Sequence, residues 1–103
     1  MEIYSFKNDY IEGAHPTILQ KLVETNLTQT VGYGEDEFCD EARELIKKQL
    51  KKEAEIHFVS GGTQANLIVI SSILKPYESV IAAETGHIAV HETGAIEATG
   101  HKI

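Results

Sequence analysis

Cysteine is nearly missing from this sequence. Cys39 stands alone, so no disulfide can form within the chain, and a reducing, cytoplasmic setting is the expectation. Basic residues are few as well: 9 Lys and Arg face 16 Asp and Glu, for a formal net charge of −7. That balance gives no general attraction to nucleic acid or to an anionic membrane, and neither is expected as a partner. No apolar run approaches the ~20 residues of a membrane span. The N-terminus, MEIYSFKNDY, lacks the basic-then-apolar pattern of a signal peptide. Low-complexity tracts and Pro/Gly/Ser linkers are absent. So are two familiar phosphate motifs: no lysine follows Gly61-Gly62 where a P-loop needs one, and there is no GxGxxG. What remains is 103 residues, 42% hydrophobic and 24% charged, the composition of one globular domain or a piece of one.

Within it the chain reads as α/β. Residues 1–14 are polar, aromatic and glycine residues without period, an extended arm. Pro16 suits the first position of a helix, and Ile18, Leu19, Leu22 and Val23 follow at helical spacing. A loop with Gly32 and Gly34 leads to Asp36, a good N-cap. The next helix has Phe38, Ala42, Leu45, Ile46 and Leu50 on one face. Its acids sit near the start and its lysines (Lys47, Lys48, Lys51, Lys52) near the end, which complements the helix dipole, and Glu44–Lys48 is a favourable i,i+4 pair. The spacing then predicts a strand over Glu55–Val59, a helix over Thr63–Leu74, a strand over Ser79–Ala83, a short helix within Gly86–Gly94 and a strand begun by Ala95–Ile103. The helix is apolar on nearly all sides and needs cover. SVIAA has the continuous apolar character of a strand in a parallel sheet. The order indicates α/β, the front part of a larger domain.

FVSGGTQANL, Phe58 to Leu67, carries the first site candidate. A strand passing into a helix through small residues leaves bare amide N–H groups at the positive end of the helix dipole, a natural anion site. Thr63 can add a hydroxyl. The same residues also suit a ligand-free turn capped by threonine, and spacing alone does not separate the two. His87 is the second candidate. It follows Ser79–Ala83 by a few residues, which in a parallel sheet places it at the carboxyl edge, where the glycine turn also lies and where α/β proteins bind ligands. An imidazole there can stack on a flat ring or move a proton. His87 and His91 are four apart, with Glu84, Glu92 or His101 as further ligands, but HETGA is not HExxH and only the spacing speaks for a metal; none is expected. Tyr33, in VGYGED, and Asp9, in the polar arm, are lesser candidates.

FVSGGTQANL, then TGHIAVHETGAIEATGH, with VGYGED and a polar arm before them, resembles the front of the threonine aldolases. These are β-eliminating lyases with the aspartate-aminotransferase-like fold of pyridoxal-phosphate enzymes (PLP fold type I). The resemblance implies residues 1–15 as an N-terminal arm and 16–103 as the front of the PLP-binding large domain, truncated. It implies pyridoxal 5'-phosphate (PLP) as cofactor, its phosphate held by Gly62, Thr63 and the backbone of Gln64, with Gly61 permitting the turn. His87 would stack on the pyridine ring and take part in proton transfer. Tyr33 would reach a phosphate, that of the neighbouring subunit in a homodimer or homotetramer. Asn8 and Asp9 would lie near the amino-acid substrate. Where the family commonly reads Ser-Asp-Thr, this chain reads Asn8-Asp9-Tyr10, so the resemblance does not fix the substrate side chain. The aspartate on the pyridine nitrogen and the Schiff-base lysine come later in the family, and no lysine here takes that position. The implied activity is cleavage of a threonine-like β-hydroxy amino acid to glycine and an aldehyde by the parent protein, with this segment alone inactive. The alternatives are another β-eliminating lyase or an aminotransferase on the same fold, or a non-catalytic fragment that binds a partner.

Overall fold

The computed structural model describes residues 4–8 and 10–103. The chain divides into two compact units, Met1–Gln49 and Leu50–Ile103.

The first unit carries α1 (Pro16–Thr25) and most of α2 (Glu37–Leu50). Pro16 opens α1 as expected, and His15 caps it: the Thr17 N–H donates to His15 Nδ1 at 3.2 Å. Lys21 and Glu24 pair along its surface at 2.7 Å. Asp36 caps α2, its Oδ1 accepting from the Cys39 N–H at 3.0 Å and its carbonyl from the Asp40 N–H at 3.0 Å. Hydrogen bonds from the Cys39 thiol and then the Cys39 N–H hold the Asp36 carboxyl below its ordinary range, while Asp36 in turn pushes the Cys39 thiol up. Glu44 pairs with Lys47, one turn on at 3.5 Å, rather than with the expected Lys48. Ile18, Leu22 and Phe38 line a groove in this unit.

The second unit carries α3 (Gly62–Ile73), the four-residue α4 (His87–Val90) and a single 3-10 turn over Glu97–Thr99. Here the expected strands are corrected. Among the described residues the recorded β pairing is one parallel bridge, Ser79 to Lys102, with the Val80 N–H donating to the Lys102 carbonyl at 3.0 Å. The stretch expected as a strand from Ala95 instead coils: the Thr99 hydroxyl donates to the Ile96 carbonyl at 2.7 Å and the Gly100 N–H to the Glu97 carbonyl at 2.9 Å. Gly100, at φ 88°, then reverses the chain in the left-handed region that suits glycine. After that turn the backbone runs beside Ser79. His101, buried, secures it by donating from Nδ1 to the Glu78 carbonyl at 3.2 Å.

Ile96 is fully buried, whereas Ile68, Val69 and Ile73 of α3 are exposed. The all-round apolar pattern of α3 is therefore half-covered at Leu67 and Ile70 and uncovered at Ile68, Val69 and Ile73. Among the described residues, no helix is long and apolar enough to cross a membrane.

The capping of α2 is directly testable. Replacing Asp36 by alanine leaves the Cys39 amide without its acceptor, and a lost N-cap destabilises a helix. Asp36→Ala is expected to lower far-UV helicity and Tm by a few degrees, whereas Asp36→Asn, which keeps an acceptor oxygen, should recover most of both.

Candidate functional site

The glycine turn is shaped by what its cap lacks. α3 begins at Gly62 and its N-cap is Gly61, at φ 171° and ψ 177°, an extended backbone open to any residue. A Ser, Thr, Asn or Asp there would offer a side-chain oxygen to the first-turn amides. Gly61 has none, and no side-chain cap bond is made. The threonine cap considered for this turn is thereby corrected: Thr63 is the second residue of the helix. The helical ladder starts with the Ala65 N–H donating to the Gly61 carbonyl at 3.1 Å. The amides of Gly62, Thr63 and Gln64 come before it, where a helix supplies no acceptor of its own. The space in front is open, since a Cβ added to Gly61 or Gly62 would meet no atom within 4 Å. The Gln64 side chain turns back to brace the approach: its Oε1 accepts from both the N–H and the hydroxyl of Ser60, each at 2.8 Å. This is a relative of the capping box, with the brace one residue before the cap.

His87 is set by a second glycine. The Gly86 N–H donates to the Ala83 carbonyl at 2.8 Å, and a Cβ on Gly86 would lie 2.9 Å from that oxygen. The close approach requires glycine, and it starts α4 with His87 immediately after the turn. The imidazole is 67% exposed on its side chain, yet one nitrogen is fixed: Nδ1 lies 2.8 Å from Glu92 Oε1. The same oxygen accepts from Asn66 Nδ2 at 2.6 Å. Asn66 sits on α3, one turn beyond the glycine turn. One buried carboxylate oxygen therefore joins the helix of the uncapped amides to the exposed imidazole. The His91 ring lies 5.3 Å from that of His87, tilted by 51°.

Asn66 and Glu92 form the part of this arrangement that the sequence reading missed. Glu92 entered it only as an optional metal ligand, and Asn66 did not enter it. The usable signal was the spacing: five residues past His87, across the end of a short helix and a turn, a carboxylate can fold back on the ring. Among the described residues no group of three or more His, Cys, Asp or Glu side chains is arranged to hold a metal; His87 faces Glu92 and His101 faces Glu78.

Tyr33 and Asn8 belong to the first unit. Tyr33 is fully exposed and adopts φ 63°, the left-handed region that a bulky residue enters at a cost of about 1–2 kcal/mol. Gly34 follows at φ 77°, and Arg43 donates to its carbonyl. The loop is thus fastened from α2 while its aromatic ring points into solvent. Asn8 spends Oδ1 on the Tyr10 N–H at 3.1 Å, closing a local turn. Asp9 lies outside the described residues.

The model of the beta-eliminating lyase family matches residues 6–102, and the chain belongs to that family. It is 32% identical over 92 residues to a low specificity L-threonine aldolase of Pseudomonas sp. (strain NCIMB 10558) and 29% identical over 92 residues to a protein of the same name from Pseudomonas aeruginosa. Each match covers 89% of this chain and 27% of the relative. A solved structure of Leishmania major threonine aldolase is 55% identical with a TM-score of 0.85, over 97% of this chain and 30% of that one. The chain thus spans under a third of the length of these relatives, and its fold is the corresponding part of the α/β, PLP fold type I architecture.

The Glu92 carboxyl is held below its ordinary value of 4.5, chiefly by the hydrogen bond from His87 and also by that from Asn66, against burial, which pushes it up. A depressed carboxylate stabilises the fold above its unfolded value, and that contribution is lost as the pH falls through the folded value. The stability of the wild type should therefore exceed that of Glu92→Gln at neutral pH, with the gap closing on acidification below about 4.5. Urea midpoints measured across the acid range would show it; a gap that stays constant there would mean the charge of Glu92 contributes nothing.

Proposed function

We propose that this chain forms the front of the PLP-binding large domain, residues 16–103 behind an arm of residues 1–15, in a lyase of the threonine aldolase type. The reaction is cleavage of a threonine-like β-hydroxy amino acid to glycine and an aldehyde. One observation carries the reading: uncapped amides at the start of α3 are tied, through Asn66 and Glu92, to an exposed imidazole. The names of the similar proteins point the same way.

The residues present suit PLP. Its phosphate needs several donors converging on open space, and the amides of Gly62, Thr63 and Gln64, with the Thr63 hydroxyl, offer that at the positive end of a helix dipole. Gly61 and Gly62 keep the approach clear of side chains. Backbone donors also suit a chain of net charge −7, which has no basic surplus to spend on an anion. His87 presents a flat face and a free Nε2 edge, able to stack on a pyridine ring and to hold or pass a proton at Nε2. When bound, PLP supplies the electron sink for breaking the Cα–Cβ bond. Tyr33, raised on its fastened loop, would reach a cofactor phosphate in a neighbouring copy of the protein, a homodimer or homotetramer, and Asn8 and Asp9 would lie toward the amino-acid substrate. A cytoplasmic residence goes with this reading. These residues bind and orient; by themselves they supply no Schiff-base lysine, so the 103 residues alone would show little or no turnover.

The test uses the protein expressed from its own gene. With PLP it should show cofactor absorbance in the visible range, and with threonine or allo-threonine it should release glycine and an aldehyde. Release of a keto acid and ammonia instead would make it a β-eliminating lyase of another specificity. His87→Ala is expected to weaken PLP binding by roughly three- to tenfold, the worth of one ring-on-ring contact. Unchanged affinity in that variant would remove His87 from the site.

A further inference from the structure

The buried carboxylate beneath His87 is costly in three ways. Glu92 is 2% exposed, so its charge is kept largely from water. Its second oxygen, Oε2, is buried with no hydrogen-bond partner among the described residues. The next residue, Thr93, is at φ 50°, a left-handed conformation that is rare for a β-branched side chain. If packing were the only requirement, an apolar residue of similar size would avoid the first two; the third belongs to the turn that carries the carboxylate. Strain and unsatisfied polar atoms that a fold retains tend to gather where geometry serves function.

We propose that Glu92 is a positioning residue for His87, fixing both the orientation of its ring and its tautomer. A carboxylate only accepts hydrogen bonds, so the nitrogen facing it, Nδ1, must carry hydrogen. The neutral ring then has its lone pair at Nε2, on the exposed side. Asn66 shares the accepting oxygen, donating from Nδ2 for the same reason, so the ring is referenced to α3 and hence to the glycine turn. Carboxylates behind histidines do this elsewhere: they select one tautomer and hold the plane of the ring. The His91 ring, 5.3 Å away, borders the same imidazole without replacing that bond. The use of the fixed ring rests on the cofactor reading above; the fixing itself does not.

The experiment therefore has two arms, both on the protein expressed from its own gene. In the first, histidine is labelled with 15N and the ring nitrogens of His87 are assigned by NMR near neutral pH without added cofactor. Wild type should show a protonated Nδ1 and an unprotonated Nε2 in the neutral ring. Glu92→Leu, which removes the acceptor, should bring in the Nε2–H form. A wild-type His87 in the Nε2–H form overturns the proposal, and so does a folded Glu92→Leu with an unchanged spectrum; the wild-type measurement needs no variant to fold. In the second arm PLP affinity is measured. Glu92→Leu should weaken it by no more than His87→Ala does, roughly two- to tenfold, and should add nothing in the His87→Ala background. Additive losses would mean that Glu92 does not act through His87, which also overturns the proposal. A wild type that binds no PLP would defeat the cofactor reading and leave the tautomer result to decide the role of Glu92.

Discussion

A carboxylate oxygen that is out of water, and still charged, must be surrounded by donors. Glu92 Oε1 has two, the imidazole of His87 at 2.8 Å and the amide of Asn66 at 2.6 Å. Much of the second unit is organised around that requirement. Asn66 comes from α3, His87 from the start of α4, and Glu92 itself from the strained turn at Thr93 and Gly94. Breaking a charged hydrogen bond in such a place costs more than the bond returns when formed, because the remaining charge is left without solvent. The three segments are therefore coupled: none can move far without exposing or stranding the charge. The coupling is local and needs no long ladder, which matters in a unit whose recorded β pairing is a single bridge.

The N-terminal end of α3 follows the opposite logic. There the fold leaves donors without acceptors. Gly61 withholds the side-chain oxygen that most N-caps provide, and Gln64 spends its oxygen on Ser60 rather than on the helix amides. An acidic protein gains from such a site, because peptide dipoles attract an anion without a cluster of cations. The attraction stays within the first turn, and the overall charge of −7 does little to cancel it at short range.

The helices were legible in the sequence because their signals are local. Pro16 and Asp36 mark starts that hold in the structure, and the apolar run after Gly62 forms α3. The family was legible because glycine turn and histidine stand in order at a characteristic separation. The strands were less so. A strand exists only with a partner, and whether residues 95–103 pair or coil depends on where Gly100 turns, which hydropathy does not record. Glu92 was hidden for a related reason. It is buried just before a left-handed backbone at a non-glycine residue, Thr93, and neither feature is marked by the local sequence. The threonine cap stayed open as an alternative because threonine is a good cap by propensity, whereas here Gly61 takes the cap position.

The surface of α3 links these points. Ile68, Val69 and Ile73 are exposed on the same helix whose first turn offers the amides and whose Asn66 holds Glu92. Apolar area of this kind, at about 25 cal/mol per Å², is a large reserve of stabilisation once covered. Covering it would restrain the helix along its length, and that restraint would reach both ends of the arrangement: the direction of the Gly62–Gln64 amides and, through Asn66, the plane of the His87 ring. First-turn amides and imidazole would tighten together, because one helix carries the first and references the second. The packing of an aliphatic surface and the precision of a polar site are, in this unit, set by the same twelve residues.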